Sequence, residues 1–238
     1  IILSSSQILE RYRDRLSPEK RAAQLVAIQQ AVTRITSLTE EVLLFGRFEA
    51  GRVELRRAPL DLSAFCTAVA DEVRCATNEK CPIEVEILGD FSRAELDEKL
   101  LRHVLGNLLQ NAVKFSPGYG EVRLTVRQEG HEAVFEVIDR GIGIPAADRP
   151  RLFSTFHRCA NVAHLPGTGL GLVIVKRCVD AHGGKIEIVS AEGEGTTVTV
   201  RLPIPVPEPP AAPPSTDSSA PAPATAFRVL TPGIPLQT

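Results

Sequence analysis

Three alternate glycines, Gly167, Gly169 and Gly171, run through Gly167-Thr168-Gly169-Leu170-Gly171-Leu172 into the apolar stretch Val173-Ile174-Val175. Without Cβ atoms, such a backbone can come within hydrogen-bonding distance of an anion. A helix that follows turns its free N–H groups and positive dipole end to the same spot. Phosphate suits this chemistry, although a glycine-rich turn before a helix is also read as a tight connection. Upstream, His103, Asn107, Asn111 and Lys114 lie at i, i+4, i+8 and i+11, which aligns two amides and an ammonium along one helix face. An amide oxygen is a good ligand for Mg²⁺, and a lysine one turn on can meet the phosphates the metal bridges; a solvated polar face is the plainer alternative. Asp139-Arg140-Gly141-Ile142-Gly143 follows a strand-like run. The Asp139 carboxylate can accept a hydrogen bond from the exocyclic amine of adenine, with Gly141 and Gly143 letting a base lie on the backbone. The same pattern is also that of a plain turn. Phe153 and Phe156, spaced three apart, precede Arg158, a bidentate phosphate partner in type. The irregular stretch from Cys159 to Pro166 reads as a lid.

These residues need a scaffold, and the hydrophobic periodicity supplies one. Residues 1–50 read as two helices broken at Leu16-Ser17-Pro18-Glu19, where Ser17 caps and Pro18 suits the first turn. Leu25, Ile28, Val32, Ile35, Thr39 and Val42 form a seam of three-four spacing. A hairpin with such faces predicts pairing with a second copy into a four-helix bundle; packing on the chain's own C-terminal part is the alternative. Beyond Gly46 and Gly51 the pattern turns to mixed α and β. We expect strands at 53–55, 83–87, 122–127, 133–138, 185–189 and 197–202, with helices at about 61–75, 97–115 and after Gly171. The result is an α+β fold, an antiparallel-rich sheet with helices on one face. Eleven of the 18 prolines fall in Pro203 to Thr238, so residues 204–238 are expected to be a disordered tail or linker.

Composition narrows the function. A net charge of -2 argues against a general grip on nucleic acid. No apolar run reaches the roughly 18–20 residues that cross a bilayer, and no signal peptide is present, so we expect a cytoplasmic location. The five cysteines show no CxxC pair and no Cys/His cluster with zinc spacing, and are read as reduced, mostly buried thiols. No methionine occurs, which suggests a piece of something longer, whose parent could be anchored.

Taken in order, Asn-x-x-x-Asn-x-x-Lys, Asp-x-Gly-x-Gly, Phe-x-x-Phe and Gly-Thr-Gly-Leu-Gly-Leu resemble the N, G1, F and G2 boxes of sensor histidine kinases of two-component systems. Asn107 to Pro117, His182-Gly183-Gly184 and Phe45 to Gly51 also look like text of that family. The resemblance runs from residue 1 to about 203. It implies a helical dimerisation and phosphotransfer hairpin over 1–50, followed over 51–203 by the two-layer α/β sandwich ATP-binding domain of the gyrase and histidine-kinase type. Carried over, it implies ATP and Mg²⁺ as ligands. Asn111 would ligate the metal, with Asn107 lining the site and Lys114 on phosphate. Asp139 would bind adenine in a pocket shaped by Gly141 and Gly143. Arg158 and the loop of Gly167, Thr168, Gly169, Leu170 and Gly171 would hold the phosphates. The implied partners are a second copy through residues 1–50 and the receiver domain of a response regulator.

One departure is large. The family transfers the γ-phosphoryl group to a histidine on the first helix, and here all five histidines, His103, His131, His157, His164 and His182, lie beyond the hairpin. We expect truncation, and a chain that binds ATP without phosphorylating itself. The alternative is a non-catalytic nucleotide-binding dimeric scaffold.

Overall fold

Ser17 and Pro18 divide the opening helices as their chemistry dictates. A computed structural model describes residues 1–12, 15–77, 81–92, 94–116, 120–162, 165 and 167–204. Helix α1 spans Ile2–Arg11 and α2 spans Pro18–Glu49, with the Ser17 hydroxyl accepting from Lys20 N. Along α2 the seam stays open: Leu25, Val32, Ile35 and Val42 are each about half exposed. The last turns differ, because Leu44, Phe45 and Phe48 pack against the core of the following residues. The packing of the hairpin on its own chain is therefore confined to the last turns of α2, and the rest of its seam is left exposed.

No strand forms at 53–55, contrary to the sequence expectation. The backbone there is unpaired; the next residue, Arg56, donates its N–H to the Asp97 carboxylate (2.8 Å) and Val53 and Leu55 lean on the core. Pairing begins three residues later, where β1 (Ala58–Pro59) meets β3 (Glu95–Leu96) antiparallel. Helix α3 (Leu62–Ala76) starts on Asp61, which accepts from Ala64 N, and β2 spans Ile83–Leu88. Helix α4 (Glu98–Phe115) starts on Asp97, whose second oxygen accepts from Leu100 N (3.1 Å). One buried carboxylate thus satisfies two backbone donors that would otherwise be costly to bury.

Strands β4 (Val122–Glu129) and β5 (Glu132–Asp139) turn at Gly130, whose φ of 58° favours glycine. Helix α5 (Gly171–Ala181) is followed by β6 (Lys185–Ala191) and β7 (Gly195–Pro203). The main sheet runs β2-β4-β5-β7-β6, antiparallel except for the β2–β4 pair. Its inner residues, among them Leu124, Phe135, Val137, Val200 and Leu202, pack against Val69 of α3, Leu105 and Leu109 of α4, and Ile174 of α5. The outer side carries charge: Arg127 pairs with Glu129 and Glu136. This is the expected α+β sandwich with helices on one side. Ile204 closes it, its side chain buried and its N–H donating to His131 O. The expected tail from residue 205, and His164, lie outside the described residues. No helix among those described is long and apolar enough to cross a membrane.

Candidate nucleotide site

The residues singled out from sequence converge on one region, although they come from four separate stretches. Helix α4 presents its amides there because Leu101, Leu105, Leu108 and Ala112 are all buried and fix its rotation. Asn107 is half-buried, its Nδ2 donating to His103 O (3.1 Å), and its Oδ1 faces Gly171, the first residue of α5. A Cβ on Gly171 would meet that oxygen at 2.5 Å, so a side chain there would displace the Asn107 amide. One turn on, the half-buried Asn111 side chain makes no hydrogen bond among the described residues, which leaves its amide oxygen available to a ligand. Lys114 is exposed, with Nζ 4.7 Å from the Phe115 ring centroid.

Gly167 ties the next pieces in. A Cβ built there would lie 3.2 Å from Lys114 Nζ and 3.9 Å from Arg158 Nε, so the two cations and the glycine loop meet at one point. Gly169, at φ 75°, packs against Phe156 and His157, and its carbonyl accepts from Phe156 N (3.1 Å). Phe156 itself sits at φ 60°, the left-handed region that non-glycine residues avoid. Thr168 accepts from Leu170 N through its hydroxyl and donates to the Glu41 carboxylate of α2 (2.8 Å). Leu170 is buried and anchors the loop. Arg158 departs from its expected pose: its guanidinium donates to Val162 O and Leu165 O, within its own segment.

Asp139 ends β5, and its carboxylate accepts from Gly141 N (2.8 Å). Burial pushes its pKa above the ordinary carboxylate value, an effect partly offset by hydrogen bonds from the Gly141 and Thr196 backbones. Gly141 lies against Phe115 O, which accepts from Ile142 N (3.0 Å), so the end of α4 and the Asp139 turn are joined directly. Gly143, at φ 65°, lies so close to Ala191 O that no side chain fits. The chemistry of this set suits a nucleotide: a half-buried acceptor at one end, two cations and a glycine loop at the other, and a free hard amide oxygen between. The residues fit Mg²⁺ in type, Asn111 first among them.

Sequence reasoning missed several participants. Asn161 donates to Gly143 O (3.0 Å) and keeps a buried amide oxygen without a partner, and Ser190 Oγ accepts from Ile144 N. Glu41 reaches the glycine loop from 127 positions away, which no local spacing signals. Nor did the cysteine count reveal that Asp148, His157 and Cys159 bring their donor atoms within 4.8 Å of one another. A surface cleft of about 730 Å³ between Thr67, Arg74 and Glu84 to Glu86 contains none of the expected site residues.

Comparison with known proteins agrees with this geometry. Residues 96–206 match the family model described as histidine kinase-, DNA gyrase B- and HSP90-like ATPase. The chain is 33% identical over 201 residues to the circadian input-output histidine kinase CikA of Synechococcus elongatus, covering 81% of this chain and 26% of that protein. The chain thus spans about a quarter of that relative's length. Among solved structures, full-length ShkA in complex with AMPPNP superposes with a TM-score of 0.67 at 30% identity, covering 85% of this chain and 42% of that one. The mycobacterial sensor histidine kinase MprB gives 0.54 at 30% identity, covering 62% of this chain and 98% of that one.

Proposed function

The chain belongs to the sensor histidine kinases and carries their ATP-binding catalytic domain, and from this we propose that it binds Mg²⁺-ATP and directs the γ-phosphoryl group to a histidine, for onward transfer to an aspartate of a response regulator. The observation that carries this reading is the meeting of Gly167, Lys114 and Arg158 beside the Asn107–Gly171 contact. In this reading Asp139 holds the adenine amine, and Gly141 and Gly143 shape the base pocket. Lys114 and the 167–171 loop hold the phosphates. Arg158 joins them by exchanging the Val162 and Leu165 carbonyls for phosphate oxygens. Asn111 would hold Mg²⁺, which would supply charge neutralisation for the phosphoryl transfer.

We place the dimer interface on residues 1–50, supported by the exposed seam of Leu25, Val32, Ile35 and Val42. Residues 51–203 are the catalytic unit in this division, and use of ATP places them in the cytoplasm. Because residues 1–50 contain no histidine, the chain by itself is proposed not to phosphorylate itself. That same lack favours the second reading, a non-catalytic nucleotide-binding scaffold.

Calorimetry of ATP and ADP with and without Mg²⁺ tests the first reading, with Asp139→Asn and Asn111→Ala alongside. Binding that is lost in Asp139→Asn, and that loses its metal dependence in Asn111→Ala, is expected. No binding by the unaltered chain would sink it. Phosphoryl transfer to a separately supplied histidine-bearing hairpin of a relative separates kinase from scaffold.

A further inference from the structure

We propose that Asp148, His157 and Cys159 form a transition-metal site, of Zn²⁺ type, beside the nucleotide pocket. One donor atom from each lies within 4.8 Å of the other two. His157 Nε2 is 3.2 Å from Asp148 Oδ1. Two ligands of a tetrahedral zinc, each bonded at roughly 2.0–2.2 Å, stand about 3.4 Å apart, so this pair already has the required separation. The Cys159 sulfur completes the set with a shift of about 1 Å.

Three further observations favour a ligand over a simple ion pair. The site is enclosed, with only 8% of the Asp148 side chain and 15% of the His157 side chain exposed. His157 Nε2 is buried without a hydrogen bond of acceptable geometry, and such an atom is expensive to leave unsatisfied. Asp148 Oδ2 is held by Ala160 N (3.1 Å), which fixes the carboxylate and leaves Oδ1 facing His157, the outer-sphere support that metal ligands require. Arg151 stands 3.6 Å from the same Oδ1, but its side chain is 64% exposed and turns to solvent without loss of a buried contact. A carboxylate, an imidazole and a thiolate suit zinc better than Mg²⁺ or Ca²⁺, which take oxygen. On binding, neutral Nε2 and the thiolate donate to the metal and the thiol proton leaves to water. A water takes the fourth position. The ligands flank Arg158 on both sides, so an occupied site pins the stretch that carries this cation.

The test uses the full 238-residue chain, stripped of metal and kept reduced, titrated with Co²⁺ as a spectroscopic stand-in and with Zn²⁺ as competitor. The expected result is a thiolate-to-cobalt band saturating at one equivalent and bleached by Zn²⁺. It is abolished in Cys159→Ser and weakened about tenfold or more in His157→Gln and Asp148→Asn. It persists in Cys75→Ser, since Cys75 is the exposed thiol. Circular dichroism identical to the parent shows that each variant is folded, and the readout involves no nucleotide, so it stands apart from the kinase reading. No band, a band surviving Cys159→Ser, or one that follows Cys75 overturns the site and leaves a His–Asp pair.

Discussion

Helices α2 and α4 are written in the same three-four code and meet opposite fates. In α4 the apolar stripe is closed, with Leu101 and Leu105 at 0% exposure, whereas in α2 Ile35 and Val42 each remain 55% exposed. Helix α4 lies under a five-stranded sheet and between α3 and α5, so its stripe is buried by its own chain. Helix α2 touches that body only through its last turns, and only Leu44, Phe45 and Phe48 gain cover. The period of a stripe reports that burial is required, and only the surrounding elements decide who supplies it.

The contrast can be broken by truncation. Leu105→Ala in α4 is expected to cost about 2–5 kcal/mol, a large share of a typical domain's stability, and to lower the melting temperature sharply. Ile35→Ala in α2 is expected to cost a monomer at most about 0.5 kcal/mol. Thermal unfolding at a concentration that keeps the chain monomeric checks both; equal losses would erase the distinction. Asp139→Asn comes next, with nucleotide affinity falling about a hundredfold while stability at neutral pH holds or rises. The sign follows from the raised pKa: the folded state holds this proton more tightly than the unfolded chain. The group's stabilisation is therefore full below the unfolded value of about 3.9 and is lost as pH rises through the folded one. Asparagine keeps the acceptor for Gly141 N–H without a buried charge. For the parent, nucleotide affinity is expected to drop as pH falls through the elevated Asp139 pKa, and a calorimetric pH series that stays flat would count against this carboxylate as the adenine acceptor.

Ile35→Glu sharpens the comparison from the other side, converting a concentration-dependent dimer to monomer in sedimentation while the melting of the sandwich moves little. The smallest expected effect belongs to the Thr168–Glu41 hydrogen bond between the hairpin and the glycine loop. Glu41→Gln removes a carboxylate 2.8 Å from Thr168 Oγ1 and is expected to strengthen nucleotide binding about two- to threefold by relieving repulsion with phosphate.

Local spacing made much of this molecule legible. Asn107, Asn111 and Lys114 needed only the helical repeat, and the cap Ser17 needed only its side-chain chemistry. What escaped depended on pairing between distant segments. Val53 to Leu55 has the composition of a strand, yet the carboxylate of Asp97 takes the Arg56 donor. The parallel register of Ile83 with Val122 is equally invisible, because alternation tells which face is wet but not which neighbour lies alongside. Gly143 read as room for a base on the backbone or as a plain turn, and the Ala191 carbonyl pressed against it comes from a hairpin 48 positions away. Arg158 lies beside Gly167, while its partners in this structure are carbonyls of its own segment.

Phe156 ties a backbone cost to a contact. Its φ of 60° costs on the order of 1 kcal/mol, and its N–H donates to Gly169 O across to the glycine loop. A shift of the glycine loop that breaks this hydrogen bond would also free the strained angle, so the two segments are expected to rearrange together.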